Sequence, residues 1–288
     1  MMSSMNWITA LADVEKAGQA WVMATVIGAQ GSSPRDAASK MIITESHTFD
    51  TIGGGQLEFA VCQKGRAMLN AGNKNAAYQL ENFPLAAKTN QCCGGTVTIL
   101  MEYFPEPAAK ITLFGMGHVA STLIQVLGNM KAKITWVDSR VNLVHQQREN
   151  EVLPSNVTLA CYESMLEHID IMLPNEIALI MTHDHSLDYQ LTEALLDRKD
   201  CRFIGLIGSK TKALRFKRRL VSASFSQAEI DSVHCPVGIS EVEGKQPFEI
   251  AISIAAQIIQ LTQADTTTAK KKTSGLTWKE VNQVFSDA

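Results

Sequence analysis

The sequence predicts an α/β protein in which a small α+β domain precedes a doubly wound parallel sheet. Three observations carry that expectation. From Ile111 onward, short apolar runs alternate with helix-length segments, as parallel strands joined by crossover helices require. The first of these runs leads directly into Gly115-Met116-Gly117-His118-Val119-Ala120, and Asp138 closes the next one. Upstream of Pro105 and Pro107 the regular alternation is missing. Ring constraint and lost amide hydrogens make those prolines a linker. The expected division is therefore 1–106, 107–263 and a tail over 264–288.

Within the first domain, Trp7, Ile8, Leu11 and Val14 recur at helical spacing across Met5–Gly18. Trp21–Ala29 and Lys40–Thr44 are rich in β-branched and apolar residues and read as strands. Gln56–Asn70 reads as a helix and Thr96–Phe104 as an apolar strand. In the second domain the strands expected are Ile111–Phe114, Lys133–Val137, Val157–Cys161, Ile177–Met181 and Arg202–Ile207. Helices are expected over His118–Met130, Ser186–Arg198 and Lys210–Val221. Pro247–Gln263 should form a long helix buried on one broad face. Thr277-Trp278-Lys279-Glu280 has a capping-box pattern, with Trp278, Val281 and Phe285 on one face of a terminal helix.

Composition excludes several classes of function. With 288 residues, 45% hydrophobic and 19% charged, the chain can bury substantial cores. A net charge of −3 and 6% aromatics lack the basic footprint and stacking surfaces of nucleic-acid binders. Met1–Ala12 does not read as a signal peptide, and no apolar stretch is long enough to span a bilayer. A cytoplasmic location is expected, with reduced thiols. Cys62, Cys161, Cys201 and Cys235 then read as small core residues.

The motifs point to an anionic ligand. In Gly115–Ala120 the first glycine permits a tight turn, the second admits a phosphate, and the small third residue lets helix and strand pack. That is a Rossmann-like fingerprint, and helix N-terminal amides would face the anion. Asp138 stands where an acid can bond a ribose hydroxyl, and Arg140 where a cation can meet a phosphate. Thr182-His183-Asp184-His185, with Asp188 beyond, sits at a strand's carboxyl end. A polar lining of the crevice is preferred there over a zinc site, and Asp184 or Ser186 can cap the helix. Ser209 can cap the next helix. Lys212, Arg215, Lys217, Arg218 and Arg219 make a basic face, ordinarily a solvated one. Gly53-Gly54-Gly55 permits dihedrals closed to other residues and exposes amides to an anion. Adjacent Cys92 and Cys93, after Gln91, suit sulfur transfer or a soft metal centre, though adjacent thiols clamp a single metal poorly and, taken alone, a plain structural role is slightly preferred.

Taken in order, Gly31-Ser32-Ser33-Pro34-Arg35, Thr51–Glu58, Gln91–Gly95, Gly115–Ala120, Asp138-Ser139-Arg140, Thr182–Asp188, Gly205–Ser209 and the Pro247–Ile259 helix resemble the XdhC/CoxI family of molybdenum-hydroxylase accessory proteins. Ala38 departs from that pattern, standing where it leads one to expect glycine. The residues just before Gln91 lack an expected glycine, and Lys210-Thr211-Lys212 replaces a more arginine-rich run. The resemblance implies a cofactor chaperone rather than a metabolic enzyme. Such a protein binds molybdenum cofactor, protects it during sulfuration with a cysteine desulfurase, and inserts it into xanthine dehydrogenase, within purine catabolism. The candidate cofactor contacts are Arg35; Gly53, Gly54, Gly55, Gln56 and Glu58; Gln91, Cys92 and Cys93; Gly115, Gly117 and His118; Asp138 and Arg140; His183, Asp184 and His185; and Ser209. No catalytic residue and no metal ligand is assigned. A homodimer is the default for a soluble chain of this kind. Three rivals remain open. One is an NAD(P)-dependent oxidoreductase using the Rossmann-like domain, with His183 or His185 as proton donor. Another is a metal-dependent hydrolase built on His183, Asp184, His185 and Asp188. The third is a nucleotide-sensing scaffold with no catalytic role, in which the basic helix and the tail make protein contacts.

Overall fold

A computed structural model describes residues 2–3, 5–31, 35–72, 77–85, 95–150, 153–242 and 244–264. The terminal helix expected around Trp278 lies outside the described residues. The chain divides into two compact units between Pro107 and Ala108.

The first unit is a mixed sheet of six strands: β1 (Met2–Ser3), β2 (Trp21–Gln30), β3 (Lys40–Ile43), β4 (Thr48–Phe49), β5 (Ala77–Pro84) and β6 (Thr96–Phe104). Their spatial order is β1-β4-β3-β2-β6-β5. Side chains alternate across it, as strand geometry dictates. Val22, Ala24 and Val26 of β2, with Val97, Ile99, Met101 and Tyr103 of β6, pack beneath helix α2 (Gly55–Asn70). Trp21, Met23 and Ile42 point the other way, toward Ala10 and Val14 of helix α1 (Trp7–Ala17). Gly65 lets α2 approach closely, since a Cβ there would stand 2.7 Å from Ile43 Cδ1. Each large aliphatic side chain buried this way contributes about 1.5–3 kcal/mol.

β5 was not foreseen, because an edge strand reading Ala-Tyr-Gln-Leu-Glu-Asn-Phe-Pro has no apolar face to betray it. Phe83 alone of β5 is buried in the core, and polar ties add to it: Thr98 donates to Asn82 at 2.6 Å, and Lys64 pairs with Glu81.

The second unit is a six-stranded sheet in which every pairing is parallel. Its strands are β7 (Ala109–Phe114), β8 (Ala132–Asp138), β9 (Val157–Cys161), β10 (Ile177–Ile180), β11 (Phe203–Leu206) and β12 (Val233–His234). The order β12-β11-β10-β7-β8-β9 is that of a doubly wound fold. On one face Ile111, Leu113, Trp136 and Leu179 pack against helices α3 (His118–Leu127) and α9 (Pro247–Ala264). On the other, Phe114, Val137, Ile180 and Leu206 meet α5 (Leu166–Ile171), α6 (His185–Arg198), α7 (Lys210–Ser222) and α8 (Gln227–Asp231). Both faces are covered, so Ile177–Ile180 is buried throughout and its sequence is an unbroken apolar run. Helix α4 (Val141–Asn150) escaped sequence reading because Val144 is its one fully buried hydrophobic residue.

Two expectations need correction. Cys161 is exposed at the end of edge strand β9 rather than in a core. Lys212 does not belong to a solvated basic face. It is buried, with Nζ 2.5 Å from Asp188 Oδ2 and 2.8 Å from the Ile207 carbonyl. Asp188, wholly buried, also accepts bonds from Thr182 through its amide (3.2 Å) and hydroxyl (2.7 Å). The pair therefore ties the exit of β10 to that of β11.

Lys212→Met leaves the Asp188 carboxylate without its cation and should destabilise the protein by about 3–5 kcal/mol. Adding Asp188→Asn should cost far less than the sum of the single changes in urea unfolding; simple additivity would show that the pair is not coupled. Ala38 has a left-handed φ of 72°, a conformation costing a residue with a Cβ about 1–2 kcal/mol. Ala38→Gly should raise the unfolding midpoint, the strain relieved being partly offset by the freer unfolded chain. A lowered midpoint would mean the methyl contributes more than its strain costs.

Candidate functional site: the carboxyl edge of the parallel sheet

In the second unit, β7 lies between β8 and β10, so the chain leaves β7 and β10 on opposite sides of a crevice. Open α/β sheets bind ligands at this point. Gly115 opens the first turn with φ 103°, and a Cβ there would lie 2.5 Å from the Met181 carbonyl oxygen. Glycine is required twice over, by dihedral and by contact. The Trp136 indole holds this turn from below, donating to the Gly115 carbonyl at 2.9 Å.

Gly117 differs. It is exposed, and a Cβ there would meet nothing within 4 Å. It caps α3 without a side chain, so the first amides of that helix have no side-chain acceptor of their own. The neighbouring helices do not share this feature. Asp184 caps α6, accepting from the Ser186 amide at 2.7 Å, and Ser209 caps α7, accepting from the Lys212 amide at 3.2 Å. Asp184 and Ser209 thus serve their own helices. Ala120, the small third position, is buried in the core beneath α3. His118 is exposed in the first turn of α3; His183 is exposed on the loop after β10, and His185 is exposed as the first residue of α6. Among the described residues, no three His, Cys, Asp or Glu side chains converge as metal ligands.

Asp138 is fully buried and saturated with donors. Oδ2 accepts from the Met116 amide and Arg140 Nη2, both at 2.6 Å. Oδ1 accepts from the Arg140 amide and Nε, both at 2.9 Å. Burial pushes this carboxyl's pKa up, yet the bonds from Arg140 and Met116 together hold it below the ordinary value. A ribose hydroxyl would have to displace one of these donors. The residue expected to read the ligand instead latches the glycine turn to β8. Arg140 is half of that latch, its fork engaged by Asp138 and its side chain 35% exposed.

In the first unit, the topology draws three motif segments to one end of the sheet. β2 ends at Gln30 opposite Thr96, the start of β6; the Gly31–Arg35 segment follows β2 and the Thr51–Glu58 segment follows β4. Arg35 and Gln56 are exposed. The segment carrying Gln91, Cys92 and Cys93 leaves from the same end, where the Leu85 amide donates to the Gly95 carbonyl at 2.8 Å. Those three residues lie outside the described residues. Gly53, Gly54 and Gly55 all have positive φ, at 126°, 71° and 63°. The nest they help to form is filled by the chain's own carboxylate. Glu58 Oε2 accepts from the Thr51 hydroxyl (2.5 Å), the Gly54 amide (3.1 Å) and the Ile52 amide (3.3 Å). An external anion would meet that carboxylate first.

Thr182 was visible within the polar lining of the crevice, whereas nothing in the sequence marked Lys212 or the Met116 amide as parts of the site's frame. Asp188 was visible as an acid in a helix's first turn. Its partner Lys212 stands on the next crossover helix, and no local pattern joins the two. Burial pushes the thiols of Cys62, Cys235 and Cys201 up, the last to about 11, away from the thiolate form that nucleophilic chemistry uses.

Comparison with known proteins agrees with this architecture. Residues 111–258 match the family described as the XdhC Rossmann domain, and residues 14–80 match the XdhC and CoxI family. The uncharacterized protein YqeB of Escherichia coli (strain K12) is 27% identical over 261 residues, covering 89% of this chain and 46% of that protein. The chain thus spans about half the length of this curated relative. A solved structure from Bacillus halodurans, described as a xanthine dehydrogenase, has 22% identity and a TM-score of 0.46. The match covers 94% of this chain and 98% of that one. With one family description spanning more than half of its length and a second matching its first unit, the chain belongs to the XdhC and CoxI family.

Proposed function

We propose that this protein is an accessory factor for a molybdenum hydroxylase. In this reading it binds molybdenum cofactor as cargo, supports its sulfuration together with a cysteine desulfurase, and delivers it to xanthine dehydrogenase. One observation carries the binding step: the uncapped N-terminus of α3 behind Gly117, with open space where a Cβ would stand. A phosphate placed there would accept from unsatisfied helix amides and be favoured by the helix dipole. Exposed His118, His183 and His185 supply polar groups around it. For the sulfuration step, the first unit carries the adjacent thiols of Cys92 and Cys93, whose softness suits sulfur chemistry.

The second reading, an NAD(P)-dependent oxidoreductase, is favoured by the strand order and the Gly115–Ala120 turn. Against it stands Asp138, whose two oxygens already hold four donors.

Anaerobic titration with molybdenum cofactor, beside an NAD(P) control, separates the two. Saturable cofactor binding with weak dinucleotide binding is expected; tight dinucleotide binding without cofactor affinity would move the protein to the oxidoreductase class. Gly117→Glu is sterically tolerable, at φ −94° and with open space around it. Its carboxylate should occupy the helix amides and weaken cofactor binding roughly tenfold or more with little change in stability. Unchanged affinity would remove the α3 site. Cys92→Ala with Cys93→Ala should impair cofactor retention or sulfuration, and normal activation of the acceptor enzyme by this variant would end the thiols' role.

A further inference from the structure

Thr112, His168 and Glu176 are buried together where α5 meets the parallel sheet, with 0%, 6% and 8% of their surfaces exposed. The core around them is apolar, built from Phe114, Val137, Ile169 and Ala178. They come from β7, from α5 and from the residue preceding β10. Their hydrogen bonds run in one direction. The Thr112 hydroxyl donates to Glu176 Oε2 at 2.8 Å, while Glu176 Oε1 accepts from the Leu173 amide at 2.9 Å. His168 Nε2 lies 3.5 Å from the Thr112 hydroxyl oxygen, and its Nδ1 lies 3.3 Å from the Tyr162 phenol oxygen. A hydroxyl has one proton to give, and Thr112 gives its own to Glu176. Toward His168 it can only accept, so Nε2 bears the ring proton and Nδ1 is left to accept from Tyr162. The arrangement is complete with a neutral ring.

A second proton disrupts it. Added at Nδ1, it meets the hydrogen that Tyr162 directs there, and the resulting cation lies beside the Phe114 ring, centroids 6.1 Å apart. Among the described residues, Glu176 is the acid facing His168, and it stands behind Thr112. Glu167 and Asp170, on α5 itself, are exposed. Arg198 of α6, packed against the end of α5, is committed to the carbonyls of Ile169 (2.5 Å) and Met172 (3.0 Å) and to Asp200. Burial pushes the His168 ring below its ordinary pKa, outweighing the opposite pull of Glu176. A helix of six residues does not hold itself together, so α5 depends on its attachments to the sheet. What it covers includes Phe114, the residue before the Gly115 turn.

We infer that His168 makes α5 an acid-sensitive clasp: the neutral ring, held between Tyr162 and Thr112, fastens the helix over Phe114, and protonating the ring lets the helix lift. Once α5 has lifted, the ring takes up its proton from water at the ordinary histidine value of 6.5. Opening is therefore favoured as pH falls below that value, and the effect levels off below the lowered value of the closed state. The clasp lies within the second unit and does not depend on the cofactor reading.

Hydrogen exchange of the full chain, corrected for intrinsic rates, tests it. Between about pH 7.5 and about pH 5.5 the α5 amides should lose protection roughly fivefold or more. They should also be less protected than those of β10 throughout, since the helix lifts without the sheet unfolding. His168→Gln, whose side-chain amide can donate to Thr112 and accept from Tyr162 without titrating, should abolish the pH-dependent loss. An equal loss in this variant overturns the inference, and so does protection of α5 equal to that of β10. Should the variant fail to fold, an NMR titration of the His168 ring in the unaltered protein decides. A proton on Nε2 at neutral pH and a midpoint below the ordinary 6.5 are expected; a midpoint at or above that value ends the proposal.

Discussion

Ionised carboxylates taken out of water must be met by donors, and at the carboxyl edge of the parallel sheet that requirement organises the chain. Asp138 ends β8 wholly buried, so the backbone has to bring donors to it. Met116 and Arg140 do so, and in doing so fix where the turn after β7 lies and how the chain leaves β8. Asp188 does the same one crossover later, gathering Thr182 and Lys212. The loops lining the crevice are thus shaped less by a ligand than by internal ions. What they leave open is the amide end of α3.

The first unit follows the same logic in another form. Three consecutive glycines in left-handed conformations make a concavity of amides, and Glu58 from the following helix enters it. An anion-binding device has been turned inward to hold the start of α2. Two motifs that look alike in sequence, both glycine-rich turns entering a helix, have opposite fates: one is filled by a covalently attached carboxylate and the other, at Gly117, faces solvent.

Much of this was legible without coordinates. The parallel sheet followed from apolar runs at regular intervals, and the turn after β7 from the glycine spacing, because both signals are local and strong. The anomaly at Ala38 was visible too, as a residue with a Cβ where a glycine was anticipated. Less legible was anything decided by pairing at a distance. The ribose contact expected of Asp138 depended on that carboxylate being free, and its occupation by Arg140 and Met116 is a fact of three-dimensional placement. Lys212 read as one more surface cation because a helical pattern of basic residues does not mark which one turns inward. Polar edge strand β5 and weakly apolar α4 escaped for a simpler reason: neither buries enough hydrophobic surface to leave a periodic trace.

The contact between Gly115 and Met181 has a bearing on how the protein assembles itself. Strand β7 emerges first in its unit but has β10 as one of its two neighbours, and Ile111 pairs with Ile177 only after two intervening strands have been made. Such long loop closures place parallel sheets among the slower folders. The turn beside Gly115 acquires its wall only when Met181 arrives, so on a growing chain the glycine turn is synthesised early and completed late. A nascent chain would carry the glycine motif for many residues of synthesis while unable to hold a ligand firmly. Were the proposed cargo held at this turn, its retention would report that the central strand pair has closed.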